Sequence, residues 1–568
     1  MKELLFFLAL GSLNGLHAQC GAPQSSVDLH GNNIQARILN GGDLFTDFNS
    51  GQFIPNPSSS ASPTTIFAAG LWMGGVDLGG NLKVAAVNTR GFLGTDYSAG
   101  PLNGTGTTNA FNCANWDRMF RVTDSEIAAF KQAQPLSQAQ AIAQFPGIMG
   151  WPANGNVAFA SVWGFNLPSL SLEVLAPFYD ANFDAIYSPL DGDYPAVQLA
   201  QKAPFVPAEI VWCVFNDQKG GAIHPVTKGA PLNMEIQLTA WAFNCPDEPE
   251  LNNTVFTSHR LINRGTEAIQ ALSVGFWVDF DLGCYEDDYV GCSKSRNTMF
   301  AYNQDAVDGN IGNSCAGTPT FAGSPPVQTV TFLNSADFSQ NDYALDKFIS
   351  YGVFGNPATN DPVDDVEYYR NLTGFWRDGT TLTYGQVGYG GTTPTDLLFP
   401  GDPSDANGWS MCTSGQSFAD RRVLGTQMVG LVNPGQVLEL NTAWAVHNNV
   451  PQPCNLGNAM DEVDIIRAHH NNNYVGLCSA VSSNTSILPA DNIQLFPNPT
   501  NSDATLRYGS IQVNELRIYD ATGKLLQSLK NLGNGETVLK TNQLPTGMYS
   551  LRLFTDEGSI IKTLAVVR

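Results

Sequence analysis

The sequence predicts a mainly β protein, built as multi-domain β-sandwiches with few short helices and a small C-terminal Ig-like β-sandwich. Three observations carry that expectation. Short apolar alternations recur between Gly, Pro and Asn turns, which is the rhythm of sandwich strands. Only 14% of residues are charged, against about 25% in a typical soluble domain. Asn, Gln, Ser, Thr and Gly carry the polarity instead, which suits sheets and long loops. The 568 residues are 43% apolar and 10% aromatic, enough for sizeable cores and a prior of roughly three to four domains.

Lys2, the apolar run Leu4–Leu10 and the small residue at Ala18 read as a signal peptide over 1–18, cut after Ala18. No later run reaches the roughly 18 apolar residues of a membrane span, so no transmembrane segment is expected in the mature protein. Export would place ten cysteines in an oxidising compartment, where disulfides persist. Cys284 with Cys292, and Cys454 with Cys478, are candidate pairs, although spacing alone does not fix connectivity.

Thr123 or Asp124 is placed to cap a helix that runs to Ala133 and stops at Pro135. Residues 137–144 suggest a second helix. Ala459–His470 suggests a third, with Met460, Val463 and Ile466 on one side. Strands are expected at 208–215, 233–243, 255–262, 272–280, 423–432 and 437–446. Leu272, Val274, Phe276, Val278 and Phe280 alternate with polar or small partners, the pattern of a half-buried strand. Asn263-Arg264-Gly265 reads as a turn that pairs 255–262 with 272–280, and Asn433-Pro434-Gly435 as a turn between the last two strands. Segments 303–345 and 355–365 read as long loops. The expected layout is a mostly β module at 19–205, a β-sandwich module at 206–478, a linker at 479–490 and a terminal module at 491–568.

The net charge is −23. Residues 491–568 carry seven acids and eight bases, which leaves −24 on residues 1–490. So acidic a body excludes nucleic acid as a partner, because that affinity rests on Lys and Arg. It favours divalent cations. Asp180, Asn182 and Asp184, the carbonyl of Ile186 and the carboxylate of Asp191 stand at positions 1, 3, 5, 7 and 12 of an EF-hand-like calcium loop. Ala185 replaces the turn glycine and Asp191 the usual Glu. A second cluster, Asp279, Asp281, Asp287 and Asp288, would repel itself unless a cation sat within it. The expected cofactor is therefore structural calcium. The alternative for this cluster is an acid/base pair of a secreted hydrolase of unfamiliar family.

Other catalytic signatures fail: the chain has no HExxH, no GxSxG elbow, no P-loop and no dinucleotide fingerprint. His469-His470 reads as a cationic helix end rather than a ligand pair. Trp212, Trp241, Trp277, Trp376 and Trp444 could line a glycan-binding surface or fill the core.

The terminal module carries ordered motifs. Pro497-Asn498-Pro499 is followed by Tyr519-Asp520, then Gly523-Lys524, then Leu544-Pro545 with Gly547 and Tyr549, then Lys562 and a terminal Arg568. In that order and spacing they resemble the type A sorting domain of Bacteroidota type IX secretion cargo. The resemblance implies recognition by the outer-membrane translocon, later removal by a surface sortase, and a secreted or outer-surface location reached through the periplasm. The body segments Gly70-Leu-Trp-Met-Gly-Gly75, Cys113-Ala-Asn-Trp-Asp117 and Gly374-Phe-Trp-Arg-Asp-Gly379 resemble a recurring kind of large Bacteroidota surface protein, which brings no activity with it. Together these readings point to a non-catalytic surface protein for adhesion, glycan or protein binding, or envelope structure.

Overall fold

The computed structural model describes residues 20–568 apart from 59–61, 89–93, 169–174, 201, 220–222, 246, 310–314, 339–343, 353–354, 418, 449, 451–452, 475–485, 488–492, 520–524 and 556–557. The expected signal peptide with its cut at Ala18 lies outside these residues, as do Cys478, Asp520, Gly523 and Lys524.

The expected strands form, and they settle into two nine-stranded sheets. The first runs Ser26–Leu29, Ile34–Leu39, Asp43–Leu44, Ile66–Asp77, Ile269–Phe280, Arg421–Val432, Lys347–Gly352, with Phe53–Pro55 and Leu82–Ala85 pairing off this path. The second runs Phe120–Thr123, Glu209–Asn216, Met234–Ala242, Thr254–Asn263, Val437–His447, Val327–Phe332, Thr298–Asn303, Asp288–Ser293, with Ser98–Ala99 pairing Glu209–Asn216 off this path. Both sheets draw strands from each side of residue 205, so the boundary expected at 205/206 divides neither. Val327–Phe332 lies inside the segment read as a loop at 303–345. It pairs with Val437–His447 and with Thr298–Ala301.

The facing sides of the two sheets share one core. Val274, Phe276 and Val278 from the first sheet meet Ile236, Leu238, Leu440 and Trp444 from the second. Phe276 and Trp444 pack edge to face at 5.1 Å. The far side of the second sheet has its own core. Ile210, Trp212 and Val214 point there, while Val211, Cys213 and Phe215 point to the shared core. A strand buried on both faces needs an unbroken apolar run, and Ile210–Phe215 is one. The outer core is covered by helices Asp124–Ala133 and Ala459–Asn471, through Ile127, Phe130 and Ile466. The first of these begins with the expected cap. Thr123 and Glu126 form a reciprocal capping box, which satisfies two orphan amides.

Two expectations are corrected. The Ile269–Phe280 strand is not half-buried, because helix Asp365–Leu372 lies over its outer face. Ser273 donates to Leu372 O at 2.9 Å, and Trp277 stacks on Trp72, which meets Tyr368 of that helix at 4.6 Å. Nor do 255–262 and 272–280 pair with each other. Thr254–Asn263 pairs with Val437–His447 in the second sheet, and Ile269–Phe280 with Arg421–Val432 in the first. The turns after Asn263 and Val432 are therefore corners that carry a strand pair from one sheet to the other. The two corners hold each other: Asn263 N–H donates to Gln436 O at 3.1 Å and Gly435 N–H to Asn263 O at 2.7 Å.

The cysteines also depart from expectation. Cys284 bonds Cys315 and Cys454 bonds Cys412, while Cys20 bonds Cys113. Cys245 is disulfide-bonded as well. Cys292 is a buried free thiol in the Asp288–Ser293 strand, and Cys213 is another. No helix among the described residues is long and apolar enough to cross a membrane.

The terminal module is a six-stranded sheet folded around its own core of Leu506, Val513, Leu516, Leu551, Leu553 and Leu564. Register shifts at Gly509 and Val513 bend its longest strand, Ala504–Tyr519. Ser486–Ile487, expected in the linker, pairs in parallel with Gly558–Ser559. The module thus begins before residue 491.

Candidate functional sites: a sorting tail, two acidic loops and an aromatic pocket

Among the described residues, the first tail motif and the last two, distant in sequence, meet in space. Pro497-Asn498-Pro499 follows Gln494–Phe496 and is exposed. The Asn498 side chain accepts the Ala565 N–H at 2.8 Å. Thr500 N–H donates to Ala565 O, and Val567 N–H to Thr500 O, both at 2.8 Å. The first motif is therefore clipped to the last strand, Gly558–Val566, which also carries the half-buried Lys562. Arg568 donates to Thr541 O at 2.6 Å, just before Leu544-Pro545. Tyr549 closes that turn by donating to Pro545 O at 2.6 Å. Leu544 is buried in the tail core, and Gly547 opens the Gly547–Thr555 strand. Tyr519 ends the Ala504–Tyr519 strand. Pro497–Pro499, Leu544–Tyr549 and the Lys562–Arg568 end thus share one folded corner.

The loop at 180–193 is built from side-chain caps on its own backbone. Asp180 accepts from Phe183 N–H at 2.7 Å and Ala185 N–H at 2.8 Å. Asn182 accepts from Asp184 N–H at 3.1 Å, and Asp184 from Ile186 N–H at 2.8 Å. Ala185, at the turn-glycine position, takes φ +62°, the left-handed region where a Cβ is strained. The carboxylate that closes the loop is Asp193 rather than Asp191. Asp193 is 1% exposed and accepts from Ala181 N–H at 2.9 Å and Ser188 N–H at 2.7 Å. Asp191 is exposed at the end of the turn Pro189–Asp191. The sequence spacing pointed to the carboxylate at position 12. The turn Ser188–Gly192 carries that side chain outward.

The second acidic cluster is buried. Asp279 is 6% exposed, Asp287 0% and Asp288 2%, and Asp281 is half-buried. Residues 287–288 lie against the end of the Ile269–Phe280 strand, where Asp288 accepts the Leu282 N–H at 2.8 Å. The covalent brace is Cys284–Cys315. That loop brings in Asp308, which sequence reading missed because it lies in a segment without periodicity. Asp308 accepts from Cys284 N–H at 2.9 Å and Phe321 N–H at 2.5 Å. Asp287 accepts from Gly309 N–H at 2.8 Å. Burial pushes the carboxyls of Asp281, Asp287 and Asp288 up, and that of Asp308 to about 6. For Asp281 the neighbouring Asp279 and Asp288 add to the rise. Asp287 Oδ1 and Asp288 Oδ1 are buried without a hydrogen-bond partner. Asp279 faces the fully buried Arg422 at 3.7 Å, which also meets Asp420 at 2.8 Å and Asp361 at 3.8 Å. Among the described residues, neither acidic set gathers three carboxylate oxygens within 4.8 Å of one another.

The five tryptophans are core residues, each 2% exposed or less. A different aromatic reaches the surface. Tyr384 is 52% exposed, and its ring lies 4.6 Å from that of Trp409. With Gln386, Asn407, Thr413 and Ser414 it lines a surface pocket of about 400 Å³. None of the predicted acidic residues lines this pocket. The only sequence signal was the Gly-spaced run Tyr384-Gly-Gln-Val-Gly388, whose residues Gly385, Gln386 and Gly388 have positive φ.

The fold and the converging motifs define a large disulfide-braced β-sandwich followed by a C-terminal β module with its own core. Comparison with known families identifies that module: residues 494–567 match the secretion system C-terminal sorting domain. The chain therefore carries the tail of a type IX secretion cargo, which implies export or display at the cell surface. No curated protein matches the chain. Two solved structures are distantly similar. A polysaccharide lyase is 8% identical, with a TM-score of 0.18, over 58% of this chain and 34% of the lyase. The CBM51-2 and INT domains of ZmpB from Clostridium perfringens are 9% identical, with a TM-score of 0.11, over 59% of this chain and 94% of those domains. The chain spans about a third of the lyase's length, and at these scores neither likeness bears on function.

Proposed function

We propose that this chain is a non-catalytic glycan-binding protein, delivered outside the cell by its sorting tail and released from that tail by a surface sortase. The observation that carries the binding role is the pocket at Tyr384. An exposed aromatic face beside amide and hydroxyl side chains is what a sugar needs. Its C–H face stacks on the ring while its hydroxyls bond to Gln386, Asn407, Thr413 and Ser414. The hydrolase alternative needs two carboxylates flanking a scissile bond. The raised carboxyls of this body instead accept from the backbone amides of Leu282, Cys284, Gly309 and Phe321 and stand beside Arg421 and Arg422.

Calcium is part of the same proposal, as a structural ion. The loop at 180–193 supports it through its oxygen side chains at alternate positions and the left-handed Ala185 at the tight turn. The 279–308 cluster supports it through the unpartnered oxygens of Asp287 and Asp288.

A glycan array probed with the full chain tests the binding role. Tyr384→Ala is expected to weaken binding about fivefold, since ring stacking is worth about 1 kcal/mol, and to leave the melting curve unchanged. Binding that survives Tyr384→Ala at full strength would move the site elsewhere on the body.

A further inference from the structure

Glu248, Glu250 and His469 form a group that no catalytic or calcium motif predicts. Their ligand atoms all lie within 4.8 Å of one another. His469 sits in the last turn of helix Ala459–Asn471. Its neighbour His470 turns inward, is 2% exposed and pairs through Nδ1 with the Tyr474 hydroxyl at 3.1 Å. His469 turns the other way, toward the short helix Pro249–Asn252. Its Nε2 stands 3.6 Å from Glu250 Oε1 and 3.9 Å from Glu248 Oε2. Nε2 is buried and has no hydrogen-bond partner.

Those separations are too long for hydrogen bonds. They are within a few tenths of an ångström of the edges of a tetrahedral zinc site, roughly 3.3–3.6 Å for bonds of 2.0–2.2 Å. The backbone that carries the two carboxylates is fixed before any ion arrives. Leu251 N–H and Asn252 N–H both donate to the Glu248 main-chain carbonyl. The Asn252 side chain accepts from Cys245 N–H at 2.8 Å, and Cys245 is disulfide-bonded. The three side chains are 25%, 10% and 16% exposed, so the site is shielded but reachable.

We propose that Glu248, Glu250 and His469 bind a divalent transition ion, with zinc as the fitting case and water in the fourth position. One imidazole nitrogen and two carboxylates suit zinc or its first-row neighbours, whereas calcium takes oxygen ligands alone. The ion would tie helix Ala459–Asn471 to the turn before the Thr254–Asn263 strand. This rests on neither the glycan pocket nor the calcium loops.

The test titrates the full chain, stripped with chelator, with zinc and separately with cobalt. One zinc is expected per chain, with a higher Tm, and cobalt should give a visible absorption band of tetrahedral intensity. His469→Ala and, separately, Glu250→Gln are expected to lower zinc affinity by at least roughly 10–100-fold, the loss that even outer partners of a ligand cause. Their melting curves in chelator control for folding. A millimolar excess of calcium should leave the zinc isotherm in place. If zinc leaves Tm unchanged, or binds both variants as tightly as the parent chain, the group is only an ion pair of His469 with its carboxylates and the proposal falls.

Discussion

At the scale of single residues, this body keeps several ionisable groups where water does not reach. His259 shows the consequence most directly. It lies between the sheets at 0% exposure, packs on Phe276 at 5.0 Å, and neither ring nitrogen has a hydrogen-bond partner. Burial lowers its pKa to about 3, so it stays neutral in the folded chain. The unfolded chain protonates it near pH 6.5. Stability from this group is therefore complete above pH 6.5 and is lost as pH falls toward 3. By pH 4.5 the loss amounts to roughly 2–3 kcal/mol. His259→Leu should remove it. Denaturant melts of both proteins from pH 7.5 to 4.5 are expected to diverge, the variant losing less stability. Parallel curves would mean that His259 finds a partner on protonation. The raised carboxyls of Asp281 and Asp288 act in the opposite direction, but both proteins share them and the difference cancels them.

At the scale of elements, the strands expected between 208 and 446 were legible, Val327–Phe332 was not, and the partners were not. Ile210–Phe215 and Leu272–Phe280 read as strands because their apolar spacing is local. Pairing is not local. Asn263-Arg264-Gly265 carries the same turn chemistry whether the chain doubles back in one sheet or crosses to another, and only the contact with Gln436 decides it. The free Cys292 has a similar origin. Its neighbour Cys284 is eight positions away, but the strand Asp288–Ser293 points Cys292 into the core. The candidate loops were legible in part. Alternate oxygens marked 180–184, whereas the closing role of Asp193 depends on the direction the Pro189–Asp191 turn takes. Calcium at this loop makes a checkable claim. Adding chelator should lower the Tm of the full chain, and Asp180→Ala combined with Asp184→Ala should remove the part of that shift which the loop supplies. A chelator effect of equal size in the double variant, reversed by added calcium and not by zinc, would assign all the calcium to the 279–308 cluster, and no calcium-reversed effect in either protein would remove calcium from the account.

At the scale of the molecule, two cores with separate chemistry share one chain. The tail core draws only on residues 493–566, and the body cores end at Tyr474. The charge divides in the same place, since 491–568 is near neutral and the rest carries the acidity. The corner that joins Asn498 to Ala565 and Arg568 to Thr541 is made entirely within the tail. Removing the tail should therefore leave the body folded and take away its address. The parallel pairing of Ser486–Ile487 with Gly558–Ser559 places the cut before 486, because a cut at 491 would leave an edge strand without its sheet. A chain lacking 486–568 is expected to accumulate in the periplasm, with the melting curve and glycan binding of the intact body. A narrower variant isolates the corner: Asn498→Ala removes the acceptor for Ala565 N–H and should slow export while the tail still folds. Truncated protein reaching the medium or cell surface at the level of the full chain would show that the address lies in the body.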